Sequence, residues 1–250
     1  MDAAVAELHT ALLDAFEAIC RALPSARFER HDGHAVLSYP RIPLPTFNGV
    51  WTWRDDDSVV AALEAALASV GSAGVPLGVL ALGAPAGVLA DAARVGLSET
   101  ETIPGMLVRS ADFNVVHTPD TIDVDSLSAA RDLVADAFAI PVDWFRPMYT
   151  RTVLDDAGAV VYTLHADGAA VSTALALRCG DGVGIFNVAT PAAKRGRGYG
   201  AAVTSRAVVD AFEDGATFAF LQSSSVGEPV YRRLGFDHVA TYTLAYAPDH

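Results

Sequence analysis

Three apolar segments, followed by a glycine-rich loop and a helical pattern, constrain the fold of this chain more than any other feature. Asp167-Gly168 separates the first two segments, and Gly180-Asp181-Gly182 separates the last two. Both sequences favour tight turns between antiparallel strands, because glycine accepts backbone conformations that other residues avoid. The pattern therefore predicts an antiparallel meander that leads into a loop and a helix. The segments are residues 159–166, 169–178 and 183–190, the loop is 194–200 and the helix is 201–212.

The elements on either side of the meander complete one domain. A helical pattern of apolar residues ends in Phe138, and Pro141 prevents its continuation. The pattern after the loop helix predicts a strand, a helix and a final strand at residues 217–222, 228–234 and 239–246. We therefore expect an α+β domain over residues 113–250, with a mixed, mostly antiparallel sheet flanked by helices.

The first half of the chain shows part of the same order. It predicts a helix, a strand, a short helix and a strand at residues 58–70, 75–82, 85–95 and 102–108. This order indicates either an internal duplication, with a boundary near Asp112, or a chance similarity between two α/β segments. We expect a second, smaller α/β domain over residues 1–112. The run Arg54-Asp55-Asp56-Asp57 precedes its long helix, and three carboxylates there would repel an anion.

Charge and composition exclude several classes of protein. Acidic residues outnumber basic ones by 30 to 17, which disfavours nucleic acid as a partner. Cys20 and Cys179 are the only cysteines, so neither a disulfide framework nor a metal site is indicated. The N-terminus lacks the positive charge of a signal peptide, and no apolar run reaches the roughly 20 residues of a membrane span. We expect a cytoplasmic protein that binds no membrane and no metal.

The loop at residues 194–200 predicts an anion site. Lys194, Arg195 and Arg197 lie in it beside three glycines, directly before a helix. A helix N-terminus has free backbone N–H groups and a partial positive charge, and glycine lets a ligand approach the backbone. A pyrophosphate fits this combination better than a long polyanion does, because the chain as a whole is acidic.

Two phosphate-binding motifs match the loop. Gly196, Gly198 and Ala201 fit G-x-G-x-x-A, the dinucleotide fingerprint, but the preceding strand ends a meander and no acidic residue ends the next strand. Residues 195–200 also fit R-x-x-G-x-G, and residues 231–236 fit Y-x-x-x-G-F. With these two signatures and the order of its elements, the chain resembles the GNAT superfamily of acyl-CoA-dependent N-acyltransferases from about Asn114 to Tyr246.

The resemblance implies a role for each matching residue. Acetyl-CoA would be the co-substrate, with Arg195 binding its pyrophosphate and Tyr231 protonating the departing thiolate. Ser224 stands where the family often has asparagine, and its hydroxyl would contact the pantetheine. The backbone contacts implied for pantetheine are Val188, Ala189 and Thr190, and those implied for the pyrophosphate are Gly196, Arg197, Gly198, Tyr199, Gly200 and Ala201.

The chain departs from the family at the general base. The strand before the loop often supplies a carboxylate in this family, but here it contains Asn187 and no acid. His165, Asp143 and the C-terminal carboxylate of His250 are the substitutes that we consider. The resemblance implies an acyltransferase, for groups other than aminoacyl, that moves acetyl directly to an amine of a small molecule or peptide. The alternative is a CoA-binding sensor or interaction module that has lost its chemistry.

Overall fold

The computed structural model describes residues 2–54, 57–70, 74–118 and 120–248. The chain forms two compact units, each assembled from two separate stretches of sequence. The first unit contains Met1–Ala22 and Gly105–Val239, and the second contains Leu23–Pro104 and Ala240–His250. The division predicted near Asp112 differs from these units, because the N-terminal helix belongs to the first unit and most of the C-terminal strand belongs to the second.

The helices and strands alternate along most of the chain. The helices are α1 (Ala3–Ala22), α2 (Asp57–Val70), α3 (Ala86–Arg94), α4 (Leu127–Phe138), α5 (Val142–Phe145), α6 (Arg151–Ala157), α7 (Tyr199–Glu213) and α8 (Glu228–Arg233). The strands are β1 (Arg27–Arg30), β2 (His34–Ser38), β3 (Asn48–Thr52), β4 (Gly78–Leu82), β5 (Glu99–Arg109), β6 (Thr121–Val124), β7 (Ala159–Ala166), β8 (Ala169–Cys179), β9 (Gly182–Ala189), β10 (Phe218–Gln222) and β11 (Asp237–Tyr246).

The sheet of the first unit has the order β5-β10-β9-β8-β7-β6. Strands β7 to β9 form the predicted antiparallel meander, and the two glycine turns connect them. β6, which was not predicted, adds a further antiparallel strand beside β7. β10 runs parallel to β9 after the crossover through α7, and it pairs antiparallel with residues 105–109 of β5. The predicted fold class, a mixed and mostly antiparallel sheet flanked by helices, is confirmed.

Helices cover both faces of this sheet. On one face, buried residues of α7 such as Val203 and Val208 pack with Ala219 and Leu221 of β10 in a single apolar core. On the other face, the ring of Phe186 lies 6.1 Å from that of Phe16 in α1. An ion pair between Glu7 and Arg109 adds a polar contact between α1 and the end of β5. The N-terminal helix is therefore an integral layer of the first unit.

The second unit has its own core and contains five strands. Its strand order is β1-β2-β3-β4-β11, and β3 and β4 are the parallel pair. The two parallel strands come very close, since a Cβ atom on Gly49 would lie 1.9 Å from the carbonyl oxygen of Gly78. Apolar residues of α2 and α3, including Leu63 and Val88, form its core with β3 and β4. Asp55 and Asp56, from the acidic run noted above, lie outside the described residues.

The order of elements in one unit recurs in the other. An antiparallel strand pair, a crossover helix and a parallel strand appear as β8-β9-α7-β10 and as β2-β3-α2-β4. A short helix and another strand follow each set. Each of these last strands pairs with a strand of the other set: β11, which follows the first set, pairs with β4, and the end of β5, which follows the second set, pairs with β10. This recurrence supports the proposed duplication.

Candidate functional site

One groove in the first unit contains nearly all of the predicted site residues. It has a volume of about 560 Å³, which is in the range of small-molecule sites. Arg197 is the one predicted residue that does not line it; its side chain is exposed. The lining residues are Ala137, Phe138, Val188, Ala189, Thr190, Lys194, Arg195, Gly196, Gly198, Tyr199, Gly200, Ala201, Ser224, Val226, Gly227, Val230, Tyr231 and Arg233.

The groove lies where β9 and β10 separate. In the described chain their pairing ends at Gly184 and Phe220, although both strands continue. β9 contains an extra residue at this point, since Ala189 is opposite Thr173 but Phe186 is opposite Leu175. Such a bulge bends a strand and turns its backbone away from a neighbour. The backbone of residues 188–190 is thereby placed along the groove.

Asn187 forms the bulge. Its φ of +49° is in the left-handed region, which asparagine tolerates better than most residues do. Its side-chain amide donates a hydrogen bond to the hydroxyl oxygen of Tyr149 at 3.1 Å. Tyr149 is buried, and burial raises the pKa of its phenol. The strand position at which the sequence lacks a carboxylate is therefore occupied by a neutral amide that is hydrogen-bonded to a neutral phenol.

The glycine-rich loop leads directly into α7. Gly196 and Gly198 have φ values of +78° and +81°, and Gly198 is the N-cap of the helix. No side chain among the described residues caps this end, so the first-turn N–H groups face an open site. A Cβ atom on Gly200 would lie 3.5 Å from the hydroxyl oxygen of Thr190. The loop therefore presents backbone donors at the surface of the groove, as an anion site requires.

The three cations of the loop differ in their contacts. Arg195 donates one hydrogen bond to the carbonyl oxygen of Thr190 at 3.0 Å and another to that of Ala137 at 3.3 Å. Lys194 lines the groove, and neither Lys194 nor Arg197 makes an ion pair with any described residue. One N–H group of Arg195 therefore joins the loop to the end of α4 and another joins it to Thr190, whereas Lys194 lines the groove without an ion pair among the described residues.

Tyr231 lines the groove from α8. It lies in α8 with 9% of its surface exposed, and its ring centroid is 5.9 Å from that of Phe236. Burial raises the pKa of its phenol, so the side chain stays protonated at neutral pH. The Ser224 hydroxyl oxygen accepts a hydrogen bond from the backbone N–H of Gly227 at 3.1 Å. The groove thus combines backbone donors for an anion with one buried proton donor.

Solved structures of other proteins share this architecture over nearly the full chain. A GCN5-related N-acetyltransferase (GNAT) from Kribbella flavida aligns with 96% of this chain and 96% of its own length, at 21% identity and a TM-score of 0.70. One from Sphaerobacter thermophilus aligns with 87% of this chain and 77% of its own, at 16% identity and a TM-score of 0.62. The chain has the GNAT fold. No family model and no curated protein matches the sequence.

The GNAT fold expected from the two sequence signatures is therefore confirmed. A third structure, a GNAT-like protein from Streptococcus suis, aligns with 96% of this chain at 12% identity and a TM-score of 0.56. The likeness thus includes both units of the chain, whereas the sequence resemblance began only at about Asn114.

Several groove residues were not predicted from the sequence. Phe138 fits the apolar spacing of α4, which predicts a core residue, but 46% of its surface is exposed in the groove wall. Val226 is 78% exposed on the loop before α8, and Val230 and Arg233 follow in that helix. Apolar spacing alone does not distinguish the wall of a GNAT groove from a packed core. An apolar residue at the very end of a helix was the available signal for Phe138.

His165 and Asp143, two of the substitutes considered for the general base, lie outside the groove lining. His165 is in β7, with its Nε2 atom 3.3 Å from a carboxylate oxygen of Asp123. Asp143 accepts hydrogen bonds from Arg146, and His250 lies outside the described residues. Across residues 2–54, 57–70, 74–118 and 120–248, no three metal-ligating side chains form a cluster, and no helix is both long and apolar enough to span a membrane.

Proposed function

We propose that the protein is an N-acetyltransferase that binds acetyl-CoA in this groove and transfers the acetyl group directly to an amine. The observation that carries the proposal is that one groove contains the helix N-terminus after the glycine loop, the gap between β9 and β10, and the buried phenol of Tyr231. The phosphates need the helix N-terminus, and the extended thioester arm needs the gap between the strands. The departing thiolate needs the proton of the phenol.

The coenzyme would lie along the groove with its pyrophosphate at the N-terminus of α7. Backbone N–H groups of residues 196–201 would bind the phosphate oxygens, and Lys194 would neutralise part of their charge. The pantetheine arm would follow the backbone of residues 188–190, which β10 leaves unpaired at the bulge. Ser224 lies across the gap and offers a hydroxyl to the same arm.

The reaction needs one bond to form and one to break. The nitrogen of a neutral amine attacks the thioester carbonyl carbon, and a tetrahedral intermediate collapses as the carbon–sulfur bond breaks. The departing thiolate takes the phenolic proton of Tyr231, and the amine loses one proton to solvent or to a base. Tyr231 then regains a proton. The acceptor in this proposal is an amine of a small molecule or a peptide, and positioning rather than covalent catalysis supplies the rate.

Calorimetric titration with CoA tests the binding half of the proposal. Gly198→Glu places a carboxylate at the phosphate loop and should weaken CoA binding by about 100-fold, because like charges repel at a site built for an anion. Gly215→Glu is the matched control, since Gly215 also has a positive φ, has open space around it and does not line the groove. Equal binding of CoA by the wild type and Gly198→Glu would contradict the proposal.

The hydrogen bond of Asn187 to Tyr149 at the usual carboxylate position favours one alternative, a sensor that binds CoA without catalysis. Thiol release from acetyl-CoA, measured with alkylamines, arylamines, amino acids and short peptides, separates the two. Turnover with any of these amines supports the enzyme. Tight CoA binding with no thiol release on the whole panel supports the sensor.

A further inference from the structure

Basic side chains line the groove, although the chain as a whole is strongly acidic. They are Lys194 and Arg195 of the glycine loop and Arg233 at the end of α8, and none of the described lining residues is acidic. The whole chain has a formal net charge of −13. The groove is therefore a local concentration of positive charge, which favours a ligand with several negative charges.

Arg233 differs from its neighbour Arg232 in its contacts. Arg232 donates two hydrogen bonds to one carboxylate oxygen of Glu228, at 2.6 Å and 3.0 Å. The side chain of Arg233 is exposed, and it makes no ion pair and no hydrogen bond with any described residue. The N–H donors of its guanidinium group therefore remain available to a molecule in the groove.

Helical spacing places these two arginines on different sides of α8. Gly227, Val230 and Arg233 line the groove and recur every three residues, so they lie on one side of the helix. Arg232 follows Val230 by two residues, which is a rotation of about 200°, and it does not line the groove. The helix thus offers one arginine to the groove and uses the other in an ion pair on its opposite side.

Arg233 also lies away from the part of the groove assigned to pantetheine. The backbone N–H of Gly227 bonds to the hydroxyl of Ser224, which the proposed function places beside the pantetheine arm. From Gly227 to Arg233 the helix axis advances about 9 Å, at roughly 1.5 Å per residue. In the same proposal, the pyrophosphate is bound by the loop and by Lys194. Arg233 is therefore a separate cation on a separate element.

We infer that Arg233 binds the 3′-phosphate of the coenzyme and thereby selects CoA over thioesters that lack this group. This inference rests on the proposed function. CoA has a phosphate monoester on its ribose in addition to the pyrophosphate, and such a monoester carries a charge of about −1.5 to −2 at pH 7. The planar guanidinium of arginine presents paired N–H donors that match phosphate oxygens. Arg233 is the lining cation outside the loop, so it is the partner for this third phosphate.

The inference restricts the class of acyl donor. Dephospho-CoA has the same thioester arm and pyrophosphate but no 3′-phosphate, and a phosphopantetheine arm on a carrier protein lacks the whole adenosine part. Both could contact the backbone of residues 188–190, but neither would reach Arg233 with a phosphate. Free acyl-CoA is therefore the donor that uses every basic residue of the groove.

Calorimetric titration of the full chain with CoA and with dephospho-CoA tests this inference. The wild type should bind CoA about 10-fold more tightly, which corresponds to about 1.4 kcal/mol. Arg233→Gln removes the charge from an exposed side chain without described contacts, so the variant should fold normally. It should bind both ligands with the affinity that the wild type has for dephospho-CoA.

Arg232→Gln is the matched control, because it removes the same charge from the next residue, which is also exposed but does not line the groove. It should keep the 10-fold preference for CoA, and loss of the preference in this variant would assign it to general charge and overturn the inference.

The inference is also overturned if the wild type binds the two ligands equally. The same holds if Arg233→Gln keeps the preference, either with unchanged affinities or with both ligands weakened alike, as a contact with the pyrophosphate would give. If the wild type binds neither CoA nor dephospho-CoA detectably, the proposed function itself fails and the inference fails with it.

Discussion

Arg195 donates a hydrogen bond to the carbonyl oxygen of Ala137, a residue 58 positions earlier in the chain. Ala137 is in the last turn of α4, where carbonyl groups have no partner within the helix. A second bond from Arg195 to Thr190 holds the start of the loop. One side chain therefore fixes the distance between the wall that carries Phe138 and the loop that would bind phosphate.

This relationship predicts different effects for Arg195→Lys and Lys194→Arg. A lysine at 195 keeps the charge but cannot match the planar fork that donates in two directions, so CoA binding should fall by about 5- to 10-fold. Lys194→Arg keeps a positive charge at a residue that lines the groove, and it should bind CoA as the wild type does. Titration calorimetry measures both. Wild-type affinity in Arg195→Lys would mean that charge alone, rather than the two backbone contacts, explains the role of Arg195.

Tyr231→Phe should lower the rate of transfer and leave coenzyme binding unchanged. Loss of a positioned proton donor lowers kcat by about 100-fold or more, whereas the ring still fills its place in the core. Because burial raises the pKa of Tyr231 above its usual value, the phenol stays protonated through the working pH range. The rate should therefore show no decline from Tyr231 up to about pH 10, the usual pKa of tyrosine.

Tyr162→Phe is the control for that experiment. Tyr162 is also buried with a raised pKa, but it lies in β7 and does not line the groove. Thiol release across a pH series, with any amine that the wild type accepts, gives the comparison. Similar losses of rate in both variants would show that Tyr231 acts through the packing of the core.

The two cysteines should be unreactive in the folded protein. Burial raises the pKa of Cys20 and of Cys179 to about 12, so almost no thiolate is present at pH 8. A thiol reagent such as DTNB should react slowly with the native chain and quickly with both cysteines after unfolding. Fast reaction of one native cysteine would reopen a covalent acetyl-cysteine route, which the proposed direct transfer does not use.

The same burial makes stability depend on pH. The unfolded state releases the thiol protons near pH 9, whereas the folded state retains them to about pH 12. The folded state thus binds more protons between these values, and the free energy of unfolding should fall as the pH rises above 9. Urea titrations at pH 8 and pH 10 measure this slope. A more stable protein at pH 10 would contradict it.

A fragment of residues 113–250 should fail to fold by itself. It lacks α1, which packs on Phe186, and it lacks residues 105–109 of β5, which pair with β10. An uncovered apolar face and an open strand edge promote aggregation. Size-exclusion chromatography and circular dichroism of the fragment, beside the full chain, measure the outcome. A monomeric, folded fragment that binds CoA would mean that the predicted boundary is adequate.

Local chemistry explains which parts of the fold could be predicted. Asp167-Gly168 and Gly180-Asp181-Gly182 specify turns within a few residues, and the meander between them is confirmed. The exchange of β5 and β11 depends on which distant strands pair, and both strands have the same apolar pattern. The sequence contains no local signal that separates these pairings, so the division of the chain into units was not predicted.

The same distinction applies to the candidate site. The glycine loop and the Y-x-x-x-G-F segment are short motifs, and the structure brings them to one groove. The bulge at Asn187 depends on the register between β8 and β9, and the contact of Arg195 with Ala137 joins distant residues. Neither has a signature along the chain. Side chains that act through such long-range contacts become visible only once the strands are paired.

The assembly of the first unit from two stretches of sequence sets an order on folding during synthesis. Helix α1 is synthesised before residues 23–104, and the strands that cover it come after them. Its apolar residues, including Leu8, Leu12 and Phe16, therefore lack their native partners for most of translation. The second unit in turn waits for residues 240–246 of β11. The first unit therefore forms only after residues 105–239 have been made, and the nascent helix is a natural target for chaperones in the meantime.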